Sequence, residues 1–161
     1  MNELSVAFNR KVVLLAALLT IIFASSGAQT NQQAAHGSVS IKALDHVALN
    51  ITDLQRSANW YHDVFGFEVF HKWNTTWMIH RKGMKIGLFL RPNAASIGDT
   101  DNKLAITHFA FVTSAHGFAD AQVRLKKLGI KFDPPEDTGI AFSIFLSDPD
   151  GYQVEITTYH K

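Results

Sequence analysis

The sequence predicts an α+β fold built from two tandem βαβββ modules, and three observations carry that expectation. Two stretches, "LDHVALNITDLQRSANWYHDVFGFEVF" from Leu44 and "ITHFAFVTSAHGFADAQVRLKKLGIKF" from Ile106, share one plan. Each begins as an alternating strand with His at its third position, passes a polar turn, enters a helix and leaves it at a glycine. The spacing repeats as well: His46 to Gly66 is twenty residues and His108 to Gly129 is twenty-one. Internal similarity at this period is the mark of a duplicated unit of about fifty residues.

The elements follow in order. Thr52 and Gln55 stand at capping-box spacing ahead of the first helix, and Leu54, Ala58, Tyr61 and Phe65 form one apolar face along it. Gly66 closes it. In the second copy Phe118, Ala121, Leu125 and Leu128 form the stripe and Gly129 ends it. Strand-like runs follow each helix: "FEVFHKW", "TWMIH" and "MKIGLFL" in the first copy, "IKF", "AFSIFLS" and "YQVEITTY" in the second. The modules are expected at 41–92 and 102–159, within one domain at 41–160. The linker between them, 93–101, is turn-prone and low in apolar content. "DPPEDTG" at 133–139 reads as a second flexible segment.

The N-terminus has another character. "MNELSVAFNRK" ends in two positive charges, "VVLLAALLTIIFA" is an apolar run of thirteen residues, and "SSGA" supplies small residues before a polar stretch. This is the three-part pattern of a secretory signal peptide at 1–28, cut after Ala28, followed by a flexible leader at 29–40. The apolar run is short for a membrane span; membrane contact is expected only through this leader, were it left uncleaved. The chain holds 15 basic and 14 acidic residues. Cleavage removes Arg10, Lys11 and Glu3, leaving 13 of each and a formal net charge of zero. Such a chain lacks the basic footprint of a nucleic-acid binder. It also has no cysteine, so neither a disulfide nor a thiolate contributes. About 130 residues must then hold together by burial alone, which suffices for one domain.

The chemistry lies on the strands. Alternation places His46 on one face with Leu44, Ala48 and Asn50, opposite Asp45, Val47 and Leu49. His108 shares a face with Ile106, Ala110 and Val112. Glu155 in "SDPDGYQVEITTYH" shares one with Gln153 and Thr157, opposite Val154 and Ile156. A lone strand histidine is most often a partly buried residue and a lone strand glutamate most often faces water. The two histidines, however, are repeat-equivalent. If the sheets of the two copies face each other, His46, His108 and Glu155 converge as two imidazoles and one carboxylate, a facial set for a divalent metal with open positions. The other histidines (His36, His62, His71, His80, His116 and His160) bear no such relation.

These residues resemble the vicinal oxygen chelate superfamily, which includes glyoxalase I, methylmalonyl-CoA epimerase, fosfomycin-resistance transferases, extradiol dioxygenases and bleomycin-resistance proteins. The likeness rests on "LDHVALNITDLQRSANWYHDVFGFEV" and "LSDPDGYQVEI" and covers Ile41 to Tyr159. It implies a cupped, open-barrel mixed sheet with helices outside, around one divalent ion (Fe, Mn, Ni or Zn) held by His46, His108 and Glu155. It also implies a small substrate with adjacent oxygens and lyase, isomerase or dioxygenase chemistry; a homodimer is compatible with it. The alternative is a metal-free ligand-sequestering protein of bleomycin-resistance type. Each subfamily departs somewhere. Aligning "GMKIGLFL" with "GYQVEITT" sets Gly87 opposite Glu155, where glyoxalase I and the epimerase carry a fourth ligand. Phe145 stands where extradiol dioxygenases have Tyr, and no His lies in 138–144. Ala48 stands where fosfomycin transferases have Thr. Trp73, Trp77, His80 and Arg81 are candidates for lining the cup.

Export yields the first prediction. N-terminal sequencing of the mature protein should find a start near Gln29, outside the cytoplasm; intact Met1 in a soluble cytosolic fraction would overturn it.

Overall fold

The computed structural model describes residues 39–98, 100 and 103–160. The expected signal peptide lies outside the described residues, as does all of the leader but residues 39 and 40. The chain divides at Lys42. Residues 39–42 have no regular secondary structure, and Ala43–Lys161 forms a unit of its own. Within that unit the first module runs β1 (Val47–Ile51), α1 (Leu54–Phe65), β2 (Glu68–Lys72), β3 (Thr76–Arg81) and β4 (Met84–Leu90). The second runs β5 (His108–Val112), α2 (Ala115–Lys127), β6 (Glu136–Asp137), β7 (Ala141–Ser147) and β8 (Gln153–Tyr159).

The sheets repeat one topology. Their orders are β1-β4-β3-β2 and β5-β8-β7-β6, with β1 parallel to β4, β5 parallel to β8, and the remaining pairs antiparallel. Both sheets are four-stranded and mixed, and they are not closed into a barrel.

Both helices end as their glycines require. Gly66 at φ 71° and Gly129 at φ 68° occupy the left-handed region that side chains with a Cβ avoid. The Gly66 amide donates to the His62 carbonyl at 2.7 Å and the Ile130 amide to that of Leu125 at 3.0 Å. The helix starts differ from expectation at α1. Asp53, not Thr52, is the N-cap, accepting from the Arg56 amide at 2.9 Å, while Gln55 bonds Asn59 instead of reaching back. Thr52 has a distant partner that displaces the local box. At α2 the cap is Ser114.

Two further expectations are corrected. "IKF" is not a strand. Ile130 and Phe132 reach the second core from irregular backbone, and the short β6 forms inside the supposedly flexible "DPPEDTG" by pairing with Phe142 and Ser143. Leu128 is largely exposed and does not complete the α2 stripe.

The core lies on the helix side of the sheets. Leu49, Ile51, Ile79, Ile86 and Leu88 pack against Ala58, Tyr61 and Phe67. Ile144, Leu146, Val154 and Ile156 pack against Phe118, Leu125 and Val64 of α1. Phe109 and Phe111 touch both clusters; the Phe111 ring lies 4.9 Å from Phe65 and 5.7 Å from Phe67. The modules therefore share one aromatic seam.

The Asp148-Pro149-Asp150-Gly151 turn locks that seam. Asp148 is buried; it accepts from Tyr61 Oη at 2.8 Å and from the amides of Asp150 and Tyr152 at 2.9 and 2.8 Å. Asp150 accepts from the Thr52 amide (2.9 Å), Thr52 Oγ1 (2.7 Å), Ser57 Oγ (2.8 Å) and the Arg56 guanidinium (2.6 Å). Tyr152 Oη accepts from the Asn50 amide and donates to its carbonyl, both at 3.0 Å. The two carboxyls move in opposite directions. Burial raises Asp148 above its ordinary value despite its donors. Burial also pushes Asp150 upward, but the bonds from Thr52, Ser57 and Arg56 outweigh it and hold that carboxyl below its ordinary value.

A depressed folded value makes Asp150 stabilising above the unfolded value of about 3.9, with loss as pH falls through the folded one. Asp150→Ala should cost about 3 kcal/mol at pH 7, because it leaves buried donors unpaired. Urea titration should show the gap to wild type narrowing in acid below pH 4. A pH-independent gap would show that the charge contributes nothing.

Candidate metal centre

His108 opens β5 and Glu155 sits mid-β8, and parallel pairing sets Ala110 against Glu155. The alternation holds. Val154 and Ile156 are buried in the core while Glu155 faces the other side, with 13% of its side chain exposed. On that side His108 Nε2 lies 3.1 Å from Glu155 Oε2. Two cis ligands of a six-coordinate ion with bonds near 2.1 Å stand about 3.0 Å apart, so this pair has the spacing that a divalent ion requires. Thr107 Oγ1 contacts His108 Nδ1 at 3.1 Å, and the Phe145 ring meets the imidazole edge-on at 5.5 Å. The other carboxylate oxygen, Oε1, accepts from Ser143 Oγ.

His46 immediately precedes β1. Its Nδ1 lies 2.9 Å from Asp45 Oδ2, and Asp45 is also bonded by Lys85. Hydrogen bonds from Lys85 and then His46 hold the Asp45 carboxyl below its ordinary value. An ionised carboxylate only accepts, so His46 Nδ1 is the donor, and in the neutral ring the lone pair is on Nε2. A carboxylate behind an imidazole fixes the tautomer that ligates metal. Asp45 was expected on the opposite face from His46; the strand begins only at Val47, so alternation does not bind that pair.

The structure brings His108 and Glu155 together and does not bring His46 to them. Among the described residues, no three His, Cys, Asp or Glu side chains are grouped to hold a metal. The remaining described histidines have other partners: His62 with Asp63 and Glu68, His116 with Asp120, His160 with Asp137, His71 with Trp73 and His80 with Phe70.

Gly87 holds the place opposite Glu155 that the sequence alignment gave it. Ala48 pairs with Gly87 as Ala110 pairs with Glu155. A Cβ at Gly87 would lie 2.8 Å from the Phe89 ring, 3.2 Å from Met78 Sδ and 3.7 Å from His46 Cδ2. In the first module, then, an aromatic ring and a thioether fill the space above the glycine. The four residues proposed to line the cup do not act together. Trp77 packs on the core beneath the Lys72 ammonium, Trp73 stacks beside His71, and Arg81 lies against Gly66. His80 alternates onto the Met78 face. Sequence reasoning missed Asp45, Thr107 and Ser143. The one signal for Ser143 was a polar residue in the apolar strand "AFSIFLS".

Fold and donors together define a paired-βαβββ protein with one half-assembled His/carboxylate site. The chain belongs to the Glyoxalase/Bleomycin resistance protein/Dioxygenase superfamily, whose family model matches residues 43–156. It is similar to "Metallothiol transferase FosB" of Lysinibacillus sphaericus, 29% identical over 74% of this chain and 84% of that protein. It is 25% identical to "Glutathione transferase FosA" of Serratia marcescens, over 72% of this chain and 80% of that one. "Biphenyl-2,3-diol 1,2-dioxygenase 3" of Rhodococcus globerulus is 29% identical over 70% of this chain and 61% of its own. The solved structure of the fosfomycin resistance protein FosX from Listeria monocytogenes shares the fold, with TM-score 0.62 and 20% identity over 75% of this chain and 96% of that one.

Gly87→Ala should destabilise by about 1–2 kcal/mol through contact with Phe89 and Met78. In a Phe89→Leu background the cost should shrink, giving a coupling energy of at least about 0.5 kcal/mol in a double-mutant cycle. Additive losses by thermal melting would show that the ring does not occupy the space.

Proposed function

We propose that the protein is an exported metal-dependent enzyme acting on a small molecule with two adjacent oxygens, its divalent ion (Fe, Mn, Ni or Zn) held by His46, His108 and Glu155. The observation that carries this reading is the 3.1 Å approach of His108 Nε2 to Glu155 Oε2 on the sheet face turned away from the core. The prepared tautomer of His46 supports it. Bound there, a divalent ion supplies Lewis-acid polarisation of a substrate oxygen and a lowered pKa for bound water. Gly87 offers no donor, and Ala110 beside Glu155 is small, so the second module's face leaves room for substrate oxygens. Lys85, on the Gly87 face, is bonded to Asp45. Lyase, isomerase and dioxygenase chemistry all start from this arrangement.

His46 reaches the site from a second copy of the chain in this reading. Within one chain the modules meet through Phe65, Phe67 and Phe111 on the helix side. The faces carrying His46 and His108–Glu155 are outside that contact, as pairing with another copy requires.

His46→Ala, His108→Ala and Glu155→Ala should each lower metal affinity by more than about 100-fold, with His116→Ala unchanged, as read by metal content and by melting with and without chelator. Refolding His46→Ala together with Glu155→Ala should restore up to one site per dimer, since one interface then has every ligand. Restoration of none would place His46 in the site of its own chain. A chelator without effect on wild-type melting or activity would favour the metal-free binding protein.

A further inference from the structure

Ser143 is 1% exposed, and its hydroxyl contacts both Glu155 Oε1 and Thr157 Oγ1, the latter at 3.1 Å. The antiparallel register sets Ser143 opposite Thr157 and Phe145 opposite Glu155, so the serine lies diagonally behind the carboxylate. Proton accounting gives the network a direction. An ionised Glu155 can only accept, and Ser143 has one proton, which must go to Oε1. Thr157 Oγ1 lies 3.1 Å from the Ser143 hydroxyl and donates to the Phe142 carbonyl at 3.3 Å. The Ser143 hydroxyl therefore serves Oε1, and Oε2 is left for His108.

We propose that Ser143 is the positioning residue for Glu155, fixing its rotamer so that one oxygen, Oε2, is presented beside His108 Nε2. This rests on Glu155 being a metal ligand. The first module supplies an internal contrast. Its register sets Met78 against Gly87 and Thr76 against Phe89, so Gly87 stands for Glu155, Phe89 for Thr157 and Thr76 for Ser143. Where no carboxylate needs orienting, the hydroxyl pair is broken: Thr76 keeps a hydroxyl at the Ser143 place, but a phenyl ring stands where Thr157 would be its partner. A buried serine kept only for packing has no need of the pairing seen in the second module.

The test titrates apo protein with Co2+ and Mn2+, using Ser143→Ala and the near-isosteric pair Ser143→Thr and Ser143→Val. Ser143→Ala and Ser143→Val should weaken binding by about 10–100-fold and shift the visible bands of the cobalt-loaded protein. Ser143→Thr keeps the hydroxyl and should stay within about threefold of wild type, a rescue that packing alone would not give. Melting of the metal-free variants should change by no more than about 5 °C. Wild-type affinity and spectrum in Ser143→Val, with Glu155→Ala having lost the metal, would overturn the positioning role and leave the ligand reading intact. Equal losses in Ser143→Thr and Ser143→Val would also overturn it, by showing that volume and not the hydroxyl matters. Metal retained by Glu155→Ala would remove the ligand reading and this inference together.

Discussion

The fold turns on two aspartates one proline apart. Asp148 and Asp150 are acceptors for seven hydrogen bonds, from Tyr61, Thr52, Ser57, Arg56 and the turn's own amides. Those bonds reach from the last loop of the second module to the start of α1 in the first. A carboxylate taken out of water is costly unless donors replace its hydration. At Asp150 the donors outweigh burial; at Asp148 they do not, and its carboxyl rises. The same turn hands the chain to β8 through the Asp148–Tyr152 bonds, fixing the register in which Val154 and Ile156 face the core and Glu155 faces away. Module docking and the aim of the acidic side chain thus depend on one interaction.

What the sequence could show was what is local or periodic. The repeat of His, turn, helix and glycine is written at fixed spacing, and the strands alternate apolar with polar residues, so the tandem modules and the facing of His108 and Glu155 were legible. Thr52 was not. Its capping-box spacing is a sound local signal, but its hydroxyl donates to Asp150, 98 residues on, while Asp53 accepts from the first-turn amide. Ile130 and Phe132 alternate like a strand yet only drop two anchors into the core. Asp45 was placed opposite His46 because alternation was carried back past Val47, where β1 starts.

The candidate site was legible in its residues and not in its assembly. Spacing identifies His46 and His108 as equivalents, and equivalence says nothing of which module faces which. The aromatic seam decides that: Phe65, Phe67 and Phe111 join the modules on their helix sides. Each module then keeps its own imidazole on the opposite face, one backed by Asp45 and the other beside Glu155.

The two modules prepare those imidazoles by different means. The first orients its histidine with a neighbouring carboxylate that Lys85 holds ionised. It fills the place equivalent to Glu155 with Phe89 and Met78. The second sets the Glu155 carboxylate directly beside its histidine and holds it with the buried Ser143 hydroxyl. Gly87 stands where the second module has Glu155, so one carboxylate and not two projects from these equivalent positions. A divalent ion held as proposed would keep net positive charge and open positions, the conditions for polarising two adjacent substrate oxygens. The difference at Gly87 is therefore what makes a duplicated, nearly symmetric scaffold chemically asymmetric on its outward faces.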